Sequence, residues 1–284
     1  MNKKISTLVA CGALVGASAF AAGPLVHERV QKGEADIASF DFKLGDWYAD
    51  AEANARVGYN DNVNSSTTSL LRQESAYADL GLRVALYNQV TENFAIDTAV
   101  DFGYLEFAES GLNGQFRIST DLGDSFAFDI DLSDKTKLSI VDQLSYNITG
   151  ITDARATQNS DQLQLLRNDL GVQLFHQLSE ESAIGVKVGQ RIVKSLTTAF
   201  KARDKDENYV GLVFSNQVND KLKLTPYASY TEHEFDLASN NDADEYEAGV
   251  QAEYKFSHRM SMSASVAYQR FSVDTSNNPT ATNS

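Results

Sequence analysis

The chain reads DWYADAEANARVGYN from Asp46 to Asn60, and this stretch alternates strictly between two chemical classes. Its odd positions run from Trp47 through four alanines and Val57 to Tyr59, whereas its even positions are almost all polar. A period of two places successive side chains on opposite faces of a β-strand. Aromatic rings at both ends of an apolar stripe are typical of strands that face lipid in a membrane barrel. The stretch therefore predicts a lipid-facing strand of a transmembrane β-barrel.

The same alternation recurs along most of the chain and predicts one all-β domain. The connections between the alternating segments are short and long in turn, which is typical of short periplasmic turns on one rim and longer extracellular loops on the other. We therefore expect a transmembrane antiparallel β-barrel over residues 37–274, with about 12 strands and a range of 10–12. The ten further segments with an apolar stripe are 77–86, 94–104, 116–132, 138–148, 170–178, 184–192, 210–218, 222–230, 246–256 and 262–268.

The strand count has three alternatives, because these segments give eleven strands and bacterial barrels usually have an even number. Residues 37–44 also alternate, and the phase of the apolar residues changes between Leu44 and Trp47, where Gly45 permits a turn or a bulge. A turn would let residues 37–44 pair with the eleventh strand and close a twelve-stranded barrel. A bulge would only lengthen the first strand, and ten strands with an extra C-terminal hairpin is the third alternative. We favour the turn.

Residues 1–21 predict a signal peptide. Lys3 and Lys4 precede a short apolar run, and Ala19-Phe20-Ala21 provides a small-residue cleavage site. Cys11 also resembles a lipoprotein box, although the apolar run continues beyond it. Cleavage at the predicted site would remove this single cysteine. A disulfide framework, a thiolate metal site and a cysteine nucleophile are then excluded from the mature chain.

The net charge limits the classes of partner that this chain can bind. The formal net charge is −15, and removal of Lys3 and Lys4 makes it −17, so nucleic acid is excluded as a partner because its phosphates would be repelled. Residues 22–36 are expected to form a loose N-terminal arm, and residues 275–284 a polar C-terminal tail. The expected partners are outer-membrane lipid and lipopolysaccharide, the barrel-assembly machinery and polar solutes. A homo-oligomer is left open.

A short motif resembles a known class of proteins. The stretch ARVGYNDNV, from Ala55 to Val63, is similar to the first-strand signature of β-barrel porin families of Gram-negative outer membranes, in which an aromatic residue is followed by Asp/Asn-Asp-Asn and an aliphatic residue. The polar joins in 131–138 and 255–262 are similar too. This resemblance implies an outer-membrane β-barrel with a porin-like channel, and it implies no particular solute.

The polar face of the predicted strands would line the lumen, and its charges are unevenly spread. About twelve strands would place strand one opposite strands six and seven, so an acidic wall would face a basic wall and orient dipolar solutes. The alternative is that these charges pair across a narrow interior and block it. Strands one, three, four and ten contribute the acidic wall, Asp50, Glu52, Asp97, Asp101, Asp129, Glu247 and Glu253. The basic wall comprises Arg167, Lys187, Arg191 and Lys223 from strands six, seven and nine, together with Arg56 from strand one.

Other candidate sites are weaker. The predicted aromatic girdle consists of Trp47, Tyr59, Tyr246 and Phe256. His233 is expected on the lumen side, but no serine–histidine pair suggests a hydrolase, so no catalytic residue is predicted. The acidic loop around 242–245 lacks the spacing of an EF-hand, and the basic residues of 201–205 are neutralised by acidic neighbours, so no metal ion or cofactor is predicted either.

The sequence thus predicts a protein of the bacterial outer membrane that is not an enzyme. The favoured function is a small porin-like channel for passive diffusion of polar solutes. The alternative is a non-conducting structural or adhesive barrel that presents its surface loops. A secreted soluble β-protein is the third interpretation, because a β-sandwich also alternates.

Overall fold

A computed structural model of the chain describes residues 4–9, 37–60, 74–109, 114–120, 126–149, 163–237, 241–257 and 260–274. The predicted arm 22–36, the cleavage site 19–21 and the tail 275–284 lie outside these residues. No helix in the described ranges is long and apolar enough to span a bilayer.

Nearly all of the described chain is β-strand. One 3-10 helix, Thr198–Arg203, lies between the tenth and eleventh strands. The strands are β1 (Lys4–Val9), β2 (Phe42–Leu44), β3 (Trp47–Asn60), β4 (Ser75–Thr91), β5 (Phe94–Phe107), β6 (Gln115–Ser119), β7 (Phe126–Ser133), β8 (Thr136–Thr149), β9 (Leu163–Gln177), β10 (Ser182–Ser195), β11 (Lys205–Asn219), β12 (Leu222–Phe235), β13 (Ala243–Ser257) and β14 (Met260–Val273).

The strands form one antiparallel sheet in which neighbours in sequence are neighbours in space. The order is β1-β14-β13-β12-β11-β10-β9-β8-β6-β5-β4-β3-β2, and β7 pairs with both β5 and β8. The eleven predicted segments correspond to β3, β4, β5, the split strand β6 and β7, and β8 to β14. The predicted antiparallel all-β fold is therefore confirmed.

The connections define two rims. The short-turn rim comprises connections of two to four residues, after β4, β7, β9, β11 and β13. The long-loop rim comprises connections of seven to fourteen residues, after β3, β5, β8, β10 and β12. The short turns set the pairing register directly, because a tight turn fixes which residues lie opposite each other.

The N-terminal residues depart in part from the prediction. Gly45 has a φ of +66° and turns the chain, so that β2 runs back along β3 with Leu44 opposite Trp47. The change of phase is therefore a turn, as we favoured. The predicted pairing of 37–44 with the last strand is not among the pairings of the described residues. Only three residues of β2 pair, all of them with β3, and the edge of β14 is taken by Lys4–Val9.

The two faces of the sheet have an inverted distribution of polarity. On β9, the outward side chains of Leu170 and Leu174 are 50% and 40% exposed, whereas the alternate residues Asp169 and Gln173 are 4% and 6% exposed. Large apolar side chains of the same parity are also exposed on other strands, among them Leu80, Val188, Leu212 and Val250. A polar residue of a single sheet becomes buried only when side chains of its own face surround it. The sheet is therefore curved around its polar face, which we call the inner face.

Candidate functional site

An ion-paired cluster lies on the inner face near the long-loop rim. Arg191 on β10 donates from Nε to Asp169 on β9 and from Nη1 to Glu207 on β11, both at 2.9 Å. Both carboxylates are about 95% buried, and the guanidinium lies between them in the register of the three strands. A buried carboxylate is stabilised when a guanidinium partner is held in place. The cluster is therefore a fixed part of the wall.

The cluster continues along three further strands through His233. Its Nδ1 lies 3.0 Å from an oxygen of Glu207, and its Nε2 lies 3.0 Å from an oxygen of Glu245 on β13. Gln269 on β14 donates its side-chain amide to Glu245. His233 lies on the inner face, and its partners Glu207 and Glu245 come from the neighbouring strands. The chain from Asp169 to Gln269 thus links six adjacent strands laterally, within one wall.

Three inner-face tyrosines each cover a glycine on the neighbouring strand. A Cβ atom at Gly58, Gly189 or Gly249 would lie 2.5–2.8 Å from the phenol group of the tyrosine paired with it. Such contacts require the ring to lie flat against the wall instead of pointing into the lumen. The pairs are Tyr77 with Gly58, Tyr209 with Gly189, and Tyr227 with Gly249.

The hydroxyl groups of these rings also bond along the wall. Tyr209 donates to Asp169, two strands away, and Tyr227 donates to Glu247 at 2.7 Å. These contacts join strands at most two positions apart, so they do not bridge the lumen.

Nearer the short-turn rim, the inner face of β9 to β14 contains an apolar cluster. Phe175, Ala183, Val213 and Tyr227 form a buried cluster, with Ala267 packed against it. A cavity of about 170 Å³ adjoins this cluster. The inner face therefore carries a bonded charged cluster at one rim and, nearer the other, an apolar cluster among polar residues such as Gln177 and Lys223.

The inner face of β4 to β8 is closely covered. Arg117 on β6 donates to Asp79 on β4 at 2.7 Å. The Arg117 side chain crosses over Gly103 of β5, where a Cβ atom would collide with it. Ser139 donates to Asp129 at 2.6 Å. The inner-face residues Tyr87, Ala95, Ala99 and Ala127 are at most 1% exposed. This part of the wall is covered by other side chains.

The segment before β2 packs on this covered wall. The Phe40 ring stacks on Tyr87 with the centroids 6.3 Å apart, and it lies 6.2 Å from the ring of Tyr48. A side-chain hydrogen bond with Asp50 raises the pKa of Asp41 above its ordinary value. Residues 37–41 therefore occupy the inner face near the short-turn rim, whereas the sequence suggested only another strand of the wall.

All of the predicted wall residues lie on the inner parity, but acidic and basic groups are interleaved in the register. Arg83 lies between Glu52 and Asp101, and Lys223 lies opposite Glu253. Arg56 lies opposite Asp79, in the register between β3 and β4. The remaining wall residues occupy inner-face positions on β3, β5, β7, β9, β10 and β13: Asp50, Asp97, Asp129, Arg167, Lys187 and Glu247. An acidic wall facing a basic wall across the lumen stays a prediction.

The predicted girdle residues lie on the outer parity at the two rims. Trp47 and Phe256 lie by the short-turn rim, and Tyr59 and Tyr246 lie by the long-loop rim. Tyr246 packs against Tyr230 with the centroids 5.0 Å apart, and Phe256 packs against Tyr254 at 4.9 Å.

Several residues of the cluster were missed from the sequence. Glu207 was considered only as one of the acidic neighbours that neutralise the basic residues of 201–205. In the structure its side chain lies on the inner face of β11, where Lys205 forms an ion pair with it. The signal that would have found it is its odd position, which it shares with the inner-face residues of that strand.

In the acidic loop around 242–245, Asp242 accepts from the backbone of Phe235, and Asp244 accepts from Tyr230, so these two do not converge with Glu245.

Within the described ranges, no group of three or more His, Cys, Asp or Glu residues is placed to hold a metal ion.

Comparison with protein families gives no match, and comparison with curated proteins gives none. Solved structures do match. An outer membrane channel from Pseudomonas putida F1 is 13% identical, with a TM-score of 0.41 over 87% of this chain and 100% of that one. OmpT, an outer membrane protein of Vibrio cholerae, is 10% identical, with a TM-score of 0.36 over 82% and 98%. The toluene transporter TodX of Pseudomonas putida is 11% identical, with a TM-score of 0.33 over 81% and 79%.

The first two of these are outer-membrane proteins by description. At these identities and TM-scores, no solute and no mechanism is transferred to this chain.

Proposed function

We propose that this chain is a β-barrel channel of the bacterial outer membrane through which small polar solutes diffuse passively. The observation that carries the proposal is the inverted polarity of the sheet. Asp169 and Glu207 are buried on the inner face, while the large aliphatic residues of the same strands face outward. In water this arrangement would leave a wide apolar surface exposed, whereas in a bilayer it matches acyl chains outside and water inside.

The lateral bonding of the inner face supports an open lumen. Arg191 and Tyr209 reach their partners along the wall, so they do not need to cross the interior. Charged and polar groups that line a pore select solutes by charge and size, without any catalytic step. No enzymatic role is part of the proposal.

Conductance in planar bilayers tests the proposal. We expect steady single-channel currents from the purified, refolded protein. A matched pair of variants on β14 separates pore effects from general damage: Ser265→Trp places a ring on the inner face, and Ala264→Trp places one on the outer face. The first should lower the conductance and the second should leave it unchanged. Protein that inserts but carries no current would refute the channel.

A second candidate function is a non-conducting barrel that presents its loops. The observation that favours it is the near-complete burial of Ala95, Ala99 and Ala127 on the inner face, which indicates that part of the interior is filled. Liposome swelling discriminates the two functions: a filled barrel would admit no sugar or amino acid, whereas a channel would admit solutes up to a size limit.

A further inference from the structure

We propose that the cavity at the short-turn rim binds a small zwitterion whose ammonium and carboxylate groups are separated by a short apolar chain. This inference rests on the proposed function in that it places the site at one mouth of the lumen. The cavity measures about 170 Å³, and its lining includes Phe175, Gln177, Glu180, Ala183, Ser215 and Lys223.

Among the described residues, four of the eight polar side chains that line this cavity are unengaged, whereas Ser179, Glu181, Ser182 and Gln217 bond within the adjoining turns. Within the described part of the chain, the side chains of Lys223, Glu180, Gln177 and Ser215 make no hydrogen bond and no ion pair with another side chain. Polar side chains that line a cavity and have no partner within the protein can form hydrogen bonds with a solute. The side chains around Arg191 cannot do so in the same way, because they already bond each other. The cavity is therefore the part of the inner face best suited to hold a ligand.

The acidic and basic groups of the cavity lie on different elements. Glu180 is in the turn between β9 and β10, and Lys223 is on β12, two strands beyond β10. Two strand spacings amount to about 10 Å at the backbone. A ligand that meets both groups therefore needs an ammonium at one end and a carboxylate at the other.

The cavity also has an apolar part, although most of its lining residues are polar. Phe175 and Ala183 line the cavity and belong to the buried cluster of β9 to β12, so they offer contact to methylene groups. The volume is below the roughly 300 Å³ at which pockets for drug-sized ligands begin, which limits the ligand to a small solute. A single anion would be repelled by Glu180 and its neighbour Glu181, and a single cation would leave Lys223 unmatched.

The probe is 6-aminohexanoate, with hexanoate and hexylamine as comparators that lack one charge each. Full-length protein is titrated in detergent by saturation-transfer NMR, and the single-channel current is recorded in bilayers with the probe added on each side. We expect saturable binding in the millimolar range and a current reduction from one side only. Each comparator should bind about tenfold more weakly, because one charge-assisted hydrogen bond is lost.

Variants locate the site. Lys223→Gln and Glu180→Gln should each weaken binding of 6-aminohexanoate about tenfold. Lys221→Gln, in the adjacent turn and outside the cavity lining, should leave it unchanged. Equal binding of hexanoate or hexylamine, or binding that is insensitive to Lys223→Gln, overturns the inference. Binding without any current would overturn the channel and leave this site standing, whereas current without binding would do the reverse.

Discussion

An arginine on the outer face of β13 should destabilise the membrane-inserted protein strongly. Val250 lies opposite Pro226 and Val266 in the register, and all three are on the apolar parity. It is four residues from Tyr246 and six from Phe256, the aromatic residues at the two ends of the stripe. At about 3.4 Å per residue and a tilt of about 40°, this stripe spans about 25 Å, which matches the apolar band of a membrane barrel.

The magnitude follows from this depth. An arginine on the lipid face near the bilayer midplane costs about 2–4 kcal/mol, whereas a substitution on a surface in contact with water usually stays within about 0.5 kcal/mol. Val250 is 40% exposed, so Val250→Arg would meet no steric obstacle in a soluble protein. The neighbouring inner-face substitution Gln251→Arg is the matched control, and it should cost less than about 1 kcal/mol.

Urea-dependent folding into phospholipid vesicles measures the difference. Trp47 is the only tryptophan of the chain and lies on the outer parity of β3, so its fluorescence reports insertion. The slope of the transition should be the same in all three proteins, and the midpoint should fall for Val250→Arg alone. If Val250→Arg stays within 0.5 kcal/mol of the parent chain (about the usual range for surfaces in water), the outer face does not contact acyl chains and the reasoning fails.

Three further predictions concern the inner face. Arg191→Gln should lower the free energy of unfolding by about 3 kcal/mol, because buried Asp169 loses its cation and Glu207 keeps only Lys205 and His233. It should also move the reversal potential toward cation selectivity; an unchanged reversal potential would place the cluster away from the ion path. Gly189→Ala should cost about 1–3 kcal/mol in the same folding assay, since the new Cβ would lie 2.5 Å from the carbonyl oxygen of Leu170, and a neutral result would mean that the strands separate freely there. Phe40→Ala should raise the conductance by removing a ring from the inner face, while Phe42→Ala should not, and equal currents would show that the segment before β2 does not narrow the lumen.

The strand segments could be predicted from the sequence because alternate residues of a barrel strand face lipid and the interior, and therefore alternate between apolar and polar. The stripe that ends in Tyr246 and Phe256 predicted β13. The turn at Gly45 followed from the change of phase before Trp47. The strand that pairs with the second edge of β14 could not be predicted. Alternation shows which residues of a strand share a face, but it does not show which strand lies beside it.

The candidate site followed less completely. Parity placed Arg191 and His233 on the inner face, but the bonds between them depend on the register of β10, β11 and β12. The sequence suggested that Glu207 is a loop residue that neutralises the basic residues of 201–205, although the strand begins at Lys205. The role of Tyr209 could not be predicted, because a flat ring requires a glycine directly opposite, and that pairing exists only in the folded sheet.

The tyrosine–glycine pairs have a consequence for the loops. Each of the three joins strands whose connection is long: β3 with β4, β10 with β11, and β12 with β13. A connection of seven or more residues cannot dictate how its flanking strands align, and its closure entropy changes only slowly with length. At these hairpins the alignment of the two strands is fixed by the tyrosine ring that packs over the paired glycine. The segments above them are therefore free to diverge in sequence, or to accept grafted peptides, without any slip of the strands beneath.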